Sequence, residues 1–161
     1  MDQDGDVREV RPPTVEDVRR ICSALDEARA RYVLIGGFAV ILHGGERTTK
    51  DIDLLVDPAP ENVERLKKAL AVLEDNAAAE IGAGDLETYK VVRVADEVLV
   101  DLLAAACGVT WAEAQATAEQ IDLEGVRVLV ADRETLIRTK QTYRPSDAAD
   151  RAWLEASRGR D

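Results

Sequence analysis

Two aspartates, Asp51 and Asp53, flank one isoleucine at the start of the apolar run DIDLLV. In a β-strand, successive side chains project from opposite faces, so both carboxylates should project to one side while Ile52, Leu54 and Val56 project into a core. Mg²⁺ prefers hard oxygen ligands and is commonly bound by one or two carboxylates together with substrate phosphates. The pattern therefore predicts a metal site that handles a phosphorylated substrate.

A glycine pair, Gly36 and Gly37, lies between a predicted buried strand at residues 31–35 and a predicted short apolar helix at residues 38–43. A backbone without Cβ atoms allows close approach of a ligand, and the free N–H groups of a helix start attract phosphate. The pair lacks the Lys-Ser/Thr of a Walker A motif and the third glycine of the dinucleotide fingerprint. Alone it is more typical of a tight turn, but together with the aspartate pair it predicts a nucleoside triphosphate site.

A third carboxylate, Asp101, interrupts the apolar run VLVDLL at residues 98–103. A charge within an apolar strand is costly unless it binds a metal or a cation. The strand should pair with residues 89–94 as a hairpin with its turn at residues 95–97. Because two metals and an acceptor hydroxyl need more ligands than two aspartates offer, we predict that Asp101 is the third ligand. The alternative is that Asp101 marks an exposed strand edge.

Together these motifs resemble the DNA polymerase β-type nucleotidyltransferase superfamily. The resemblance rests on Gly36-Gly37, on the block Arg47-x-Thr49-x-Asp51-Ile52-Asp53-Leu54, and on the isolated Asp101. Within the superfamily, the segments GGFAV…HG…RTTKDIDL and LIRTKQTYRPSDAADRAWL are similar to small bacterial AbiE-like nucleotidyltransferases, the toxins of abortive-infection systems. The match runs over about residues 15–154.

The resemblance implies an α/β (α+β) fold, with a twisted mixed sheet flanked by helices and a short helical C-terminal tail. It implies an enzyme that uses Mg²⁺, or Mn²⁺, to transfer a nucleoside monophosphate from an NTP to an acceptor hydroxyl or phosphate with release of pyrophosphate. It also implies roles for individual residues. The metal-binding and catalytic residues are Asp51, Asp53 and Asp101, and the nucleotide-binding residues include Gly36, Gly37, Arg47 and Thr49.

The C-terminal region supplies two further nucleotide-binding candidates, Lys140 and Arg144. Relatives carry a lysine on a helix followed by an Arg-x-Lys-Asp stretch, which Lys140, Arg144 and Asp147 match, although the second lysine is missing here. Asp132 or Thr135 should cap the helix that carries Lys140. Lys140 and Arg144 are four residues apart and could share a face, although Pro145 would disfavour a helical conformation at Arg144 before a new helix begins near Ser146. The alternative is a solvated basic surface.

Several conspicuous residues have more ordinary interpretations. Arg47 has a guanidinium suited to phosphate, but it could equally pair with a nearby acid. His43, the single histidine, is predicted to end a helix rather than act as a base. Trp111 and Trp153 are predicted to pack against the core.

Length and composition predict one enzyme-sized domain. The chain has 161 residues, of which 46% are hydrophobic and 33% charged, as in ordinary globular proteins. We predict a flexible arm at residues 1–13 and a single domain at residues 14–161, with residues 132–157 as the helical tail. No second substrate domain is expected, so a homodimer could complete the acceptor site. The chain has no run of about 18 apolar residues and only two cysteines, Cys22 and Cys107, which predicts a cytoplasmic protein with free thiols and no membrane span.

The remaining pattern predicts the flanking elements. Thr14 and Asp17 resemble a capping box that opens a helix extending to Ala30. Further helices are expected at residues 60–73 and 110–120, a loop at residues 74–87, and a strand at residues 126–130.

The net charge of −11 disfavours long nucleic acids as partners, because these are usually bound by basic surfaces. From residue 133 onward, however, seven Lys/Arg face five Asp/Glu, a local excess of 7 − 5 = +2. The acceptor is therefore left open as a small molecule, a tRNA end or a protein side chain, and an antitoxin is a candidate partner. The competing hypothesis is a catalytically inactive module with the same fold that binds nucleotides or proteins.

Overall fold

The computed structural model describes residues 10–158. Within these residues the chain alternates helices and strands. The helices are α1 (Val15–Glu27), α2 (Gly36–Leu42), α3 (Pro60–Leu70), α4 (Asp85–Thr88), α5 (Trp111–Thr117), α6 (Arg133–Thr139) and α7 (Pro145–Ala156), with a 3₁₀ helix at Ala77–Glu80. The strands are β1 (Tyr32–Ile35), β2 (Asp51–Val56), β3 (Val91–Ala95), β4 (Leu99–Leu103), β5 (Ala105–Ala106), β6 (Val109–Thr110), β7 (Glu119–Leu123) and β8 (Val126–Val130).

Six strands form one mixed sheet in the order β3-β4-β2-β1-β8-β7. The strand β2 lies near its centre, antiparallel to β1 and parallel to β4. The strands β5 and β6 form a separate two-stranded hairpin. This mixed α/β architecture confirms the predicted fold class.

The core lies between the sheet and the helices packed on it. The strand β1 is buried along its whole length, as expected for a continuous apolar run. The helix α1 packs on α3 and on β8, whereas α2 packs on β2 and α6. The central strands are therefore held firmly in place, and β2 carries Asp51 and Asp53.

Caps at helix ends agree with the sequence. The amide of Thr14 donates to Asp17 at 2.7 Å and the Thr14 hydroxyl accepts from the Asp17 amide at 3.3 Å, which confirms the capping box of α1. Asp132 caps α6 by accepting from the Thr135 amide at 2.9 Å. His43 is the C-cap of α2, as predicted.

Two further predictions, on the tryptophans and on the cysteines, are also confirmed. Trp111 and Trp153 pack against the core. Cys22 and Cys107 are both free thiols.

Several predicted boundaries were wrong. The helix α1 ends at Glu27 rather than at residue 30, because Arg29 adopts a left-handed conformation with φ of 58°. The helix α3 ends at Leu70 rather than at residue 73, and the predicted loop at residues 74–87 contains the 3₁₀ helix and α4.

The helix predicted at residues 110–120 stops at residue 117, and β7 follows directly. The strand β7 forms a hairpin with β8 across Glu124 and Gly125, both of which have positive φ. This hairpin, which the sequence analysis missed, forms one edge of the sheet.

The predicted N-terminal arm lies mainly in residues 1–9, outside the described residues. The part that is described is anchored, since Arg11 pairs with Asp17 at 2.7 Å and with Glu97 at 3.0 Å. The division into an arm and one domain stays a prediction. Among residues 10–158, no helix combines the length and apolar character needed to span a bilayer.

Candidate active site

Strand register brings the three aspartates together. Asp53 in β2 lies directly opposite Asp101 in the parallel neighbour β4 and opposite Ile35 in β1. Residues opposite each other on adjacent strands project from the same face, and Asp51 shares that face because it lies two residues before Asp53. Ile52 and Leu54 are fully buried on the other face, as predicted.

The carboxylates form a compact acidic cluster. Asp51, Asp53 and Asp101 each offer a ligand oxygen, and these atoms all lie within 4.8 Å of one another. Asp101 is only 7% exposed, so the alternative of an exposed strand edge is wrong. Burial and then the charges of Asp51 and Asp101 raise the pKa of Asp53 to about 7, against the opposing charges of Lys140 and Arg144. The cluster therefore carries negative charge that the protein alone does not fully neutralise.

Gly36 is required for the position of Asp53. A Cβ atom at Gly36 would lie 2.3 Å from Oδ2 of Asp53, and Gly36 has φ of +76°, a conformation that other residues rarely adopt. The structure also starts α2 at Gly36 itself, two residues earlier than predicted. Gly36 thus allows the carboxylate to contact the start of the helix backbone.

Gly37 lies close to the side chains of Thr49 and Arg47. A Cβ atom there would lie 2.7 Å from Cβ of Thr49 and 3.2 Å from Cζ of Arg47. Thr49 in turn donates from its hydroxyl to the Asp51 carbonyl at 3.2 Å. Gly37 therefore allows close packing of the segment that leads into β2. A contact of Gly37, Arg47 or Thr49 with nucleotide stays a prediction.

Arg47 pairs with Asp150 of α7 through a short hydrogen bond. This is the alternative partner that the sequence left open. Asp150 also accepts from Lys140, whose Nζ lies 2.8 Å away. Arg47 thus connects the segment before β2 to the C-terminal helix.

Lys140 is buried, not part of a solvated basic surface. The residue is 5% exposed and follows α6 as its C-cap, with Nζ 3.5 Å from Asp147 and 2.8 Å from Asp150. Burial alone would raise the pKa of Asp147, but hydrogen bonds from Thr142 and Arg144 and the charge of Lys140 outweigh it and lower this pKa. Both acids therefore act as counterions of Lys140.

Arg144 lies at the rim. Its side chain is 74% exposed and pairs with Asp147 at 2.9 Å. Lys140 and Arg144 do not share one helix face, because Lys140 ends α6 and Arg144 is the N-cap of α7, so the predicted break at Pro145 is confirmed. Pro145 disfavours a helical conformation at Arg144, so the chain turns between the two helices. Both basic residues nevertheless line the same cavity.

Arg93 is a site residue that the sequence analysis missed. Its Nε donates to Asp101 at 2.8 Å, and its Nη2 donates to Asp101 at 2.9 Å and to Asp51 at 3.1 Å. Arg93 lies opposite Asp101 in the β3–β4 hairpin. The register of the predicted hairpin was the signal that could have found it.

A cavity of about 210 Å³ joins these groups. Its lining includes the acidic cluster and Gly36 together with Lys140 and Arg144. The remaining lining residues are Ile35, Val91, Arg93, Leu103, Ala106, Thr139 and Asp147. The cavity is therefore lined by both carboxylates and cations.

The acidic cluster fits a divalent cation. Three carboxylates supply only hard oxygen donors, which Mg²⁺ and Mn²⁺ prefer. The charges of Asp51 and Asp101 beside the buried Asp53 raise its pKa, and such crowding of carboxylates favours an added positive charge, which a bound ion would supply. Asp51, Asp53 and Asp101 are the residues that would hold such an ion.

Comparison with known proteins identifies the family. The family model described as nucleotidyl transferase AbiEii toxin, type IV toxin–antitoxin system, matches residues 20–161. A crystal structure from Thermotoga maritima, of a protein provisionally assigned as a nucleotidyltransferase, is similar with a TM-score of 0.57 and 15% sequence identity over 92% of this chain and 97% of that chain. At this identity the likeness shows a shared fold, and no curated protein sequence matches the chain. Because the family model spans most of its length, this chain belongs to the AbiEii nucleotidyltransferase toxin family.

Proposed function

We propose that this protein is a Mg²⁺- or Mn²⁺-dependent nucleotidyltransferase that moves a nucleoside monophosphate from an NTP to an acceptor and releases pyrophosphate. The observation that carries the proposal is the convergence of Asp51, Asp53 and Asp101 within 4.8 Å in the lining of the cavity. When bound, divalent ions would offset triphosphate charge and lower the pKa of the attacking hydroxyl. The family supports the nucleotidyl transfer.

The cavity suits phosphates better than a whole nucleotide. Its volume of about 210 Å³ is below the 300–1,000 Å³ of typical ligand pockets, so it would hold the triphosphate while the nucleoside lies at the rim. Lys140 would place a fixed positive charge against the leaving pyrophosphate, and Arg144 would contact it from the exposed side. Gly36, Gly37, Arg47 and Thr49 would form the turn that supports the nucleotide.

The acceptor follows less directly from the structure. The net charge of −11 disfavours extensive nucleic-acid contact, whereas the short basic stretch after residue 133 suits a limited one. A small molecule, a tRNA end and a protein side chain thus stay open as acceptors, and a second copy of the chain could complete their site. As a toxin of a type IV system, the protein would act in the cytoplasm and would be countered by an antitoxin.

Pyrophosphate release tests the proposal. The purified protein would be incubated with each of four NTPs, Mg²⁺ or Mn²⁺, and a bacterial cell extract freed of nucleotides as the acceptor source. We expect metal-dependent release by the wild type and loss of at least about 10²-fold in Asp51→Asn. The inactive-module hypothesis predicts triphosphate binding without pyrophosphate release under every condition.

A further inference from the structure

Arg93 donates hydrogen bonds to two of the three carboxylates of the acidic cluster. Its guanidinium donates twice to Asp101, at 2.8 and 2.9 Å, and once to Asp51, at 3.1 Å. Such a two-point fork is the strong form of an arginine–carboxylate pair. Arg93 therefore neutralises part of the charge on two of the three carboxylates.

Both oxygens of Asp101 and Oδ2 of Asp51 accept from Arg93. An ion held by Asp101 would therefore bind an oxygen atom that Arg93 already contacts. A guanidinium held against these oxygens would also lie within a few ångströms of the ion, where like charges repel strongly. Full occupancy by both cations is therefore unfavourable.

The side chains of Asp101 and Arg93 differ in how freely they can move. Asp101 lies in β4, inside the sheet, and its side chain is 10% exposed. Arg93 lies in the edge strand β3, and its side chain is 51% exposed. Within the described residues, the guanidinium of Arg93 forms hydrogen bonds with the two aspartates. A swing of the arginine into solvent would thus leave the carboxylates in place.

We propose that Arg93 is an internal counterion that competes with the divalent ion for Asp51 and Asp101 and swings away when the ion binds. The inference rests on the proposed metal-dependent function and adds a residue that sets metal affinity. In the absence of nucleotide, Arg93 makes the protein a weak metal binder. A triphosphate would favour the exchange, because Arg93 lines the cavity and gains a new anionic partner there.

Calorimetric titration of the full chain with Mn²⁺ alone, without nucleotide, tests this competition. Arg93→Ala should bind Mn²⁺ on the order of tenfold more tightly than the wild type, because a positive charge beside the ion is removed. Arg93→Lys keeps the charge but loses the fork, so its affinity should lie between the two. Arg138→Ala is the matched control, since Arg138 is also half-exposed and paired with a carboxylate, Glu113 at 3.3 Å, but does not line the cavity.

The outcomes separate this inference from the proposed function. Tighter binding in Arg93→Ala with unchanged affinity in Arg138→Ala supports the competition. Equal or weaker binding in Arg93→Ala, with a wild type that binds Mn²⁺, overturns the competition and leaves the metal site standing. If neither the wild type nor Arg93→Ala binds Mn²⁺ alone, the competition fails, and pyrophosphate release with NTP and Mn²⁺ tests the metal-dependent function separately. Thermal melts of each variant verify that the fold is retained.

Discussion

The carboxylate of Asp53 is placed where its own ionisation is unfavourable. It faces Asp51 and Asp101 on one sheet face, and Gly36 lets it approach the backbone where α2 begins. Burial and these neighbours raise its pKa to about 7. Because the negative charge of Asp53 is unfavourable in the folded protein, the site favours binding of a cation. The same unfavourable charge should lower the free energy of unfolding.

The raised pKa of Asp53 determines how the free energy of unfolding changes with pH. An unfolded aspartate has a pKa of about 4, so between pH 4 and 7 Asp53 holds more protons in the folded protein than in the unfolded chain, and its contribution to stability falls as pH rises. Asp53→Asn removes the charge, so without metal it should raise the free energy of unfolding at pH 8 by about 1–3 kcal/mol. At pH 5 the gap should nearly close, because Asp53 is then largely protonated.

Urea unfolding in chelator at pH 5 and pH 8 measures this difference. Asp122→Asn serves as the control, since Asp122 is an exposed aspartate of β7. An Asp53→Asn variant no more stable than the wild type at pH 8 would show that the carboxylates do not repel one another as the structure indicates.

Lys140 forms buried ion pairs with Asp147 and Asp150, and we propose that it also contacts the leaving pyrophosphate. Lys140→Ala should raise KM for the NTP and lower kcat together, because the charge facing the pyrophosphate is lost. It should also cost about 2–3 kcal/mol of stability, less than a fully buried pair, because Asp150 keeps Arg47 and Asp147 keeps Arg144. Lys140→Arg should recover part of the activity. Kinetics below the melting temperature of each variant test the claim, and normal kinetics for Lys140→Ala would reduce Lys140 to a structural ion pair.

For single residues, the sequence predicted those site members that are recognised from their near neighbours in the chain. The spacing of Asp51 and Asp53 places them on one face of any strand, and a charge such as Asp101 inside an apolar run demands a partner. Arg93 and Asp150 escaped notice because a charged residue on a strand edge or helix is common. Their importance depends on partners 8 and 103 residues away in the chain.

The β3–β4 hairpin carries Arg93 and Asp101, which pair with each other at the acidic cluster. Its turn is fixed by the buried Asp96, which accepts from the amides of Glu97 at 2.7 Å and of two residues in the preceding segment, Asp75 and Ala77, at 2.8 Å each. One carboxylate thus ties the hairpin turn to the segment after α3.

Asp96→Ala should therefore cost about 3 kcal/mol of stability, because three amides lose their acceptor at a buried position. Asp85→Ala is a suitable comparison, since Asp85 accepts from the single amide of Gly82 at the surface, and it should cost about 1 kcal/mol. Chemical denaturation of both variants provides the measurement. Similar losses in the two variants would show that Asp96 does not organise the turn.

Prediction of the elements succeeded where periodicity was strong and failed at their ends. The hairpin of β3 and β4 and the helices α1 and α3 follow from apolar patterns in the chain. The strand β7 was missed because its residues are mostly exposed, and an edge strand needs little apolar alternation. Its pairing with β8 is a tertiary preference that the local sequence hardly records.

At the scale of the whole molecule, the proposed function requires an acidic protein to bind an acidic substrate. The net charge of −11 opposes approach of a triphosphate, while Lys140, Arg144 and Arg93 concentrate positive charge around one cavity. Membership of the AbiEii family agrees with this arrangement. The proposed enzyme would thus transfer the nucleotidyl group of the NTP rather than its terminal phosphate.

The fate of labelled phosphate tests this claim most directly. NTPs labelled at the α-phosphate or at the γ-phosphate would be incubated with protein, Mn²⁺ and a nucleotide-free cell extract, and the label in products would be counted. We predict that the α label alone enters the acceptor, that Asp53→Asn loses at least about 10²-fold of this transfer, and that Asp122→Asn retains it. Transfer of the γ label, or full α transfer by Asp53→Asn, would contradict the account.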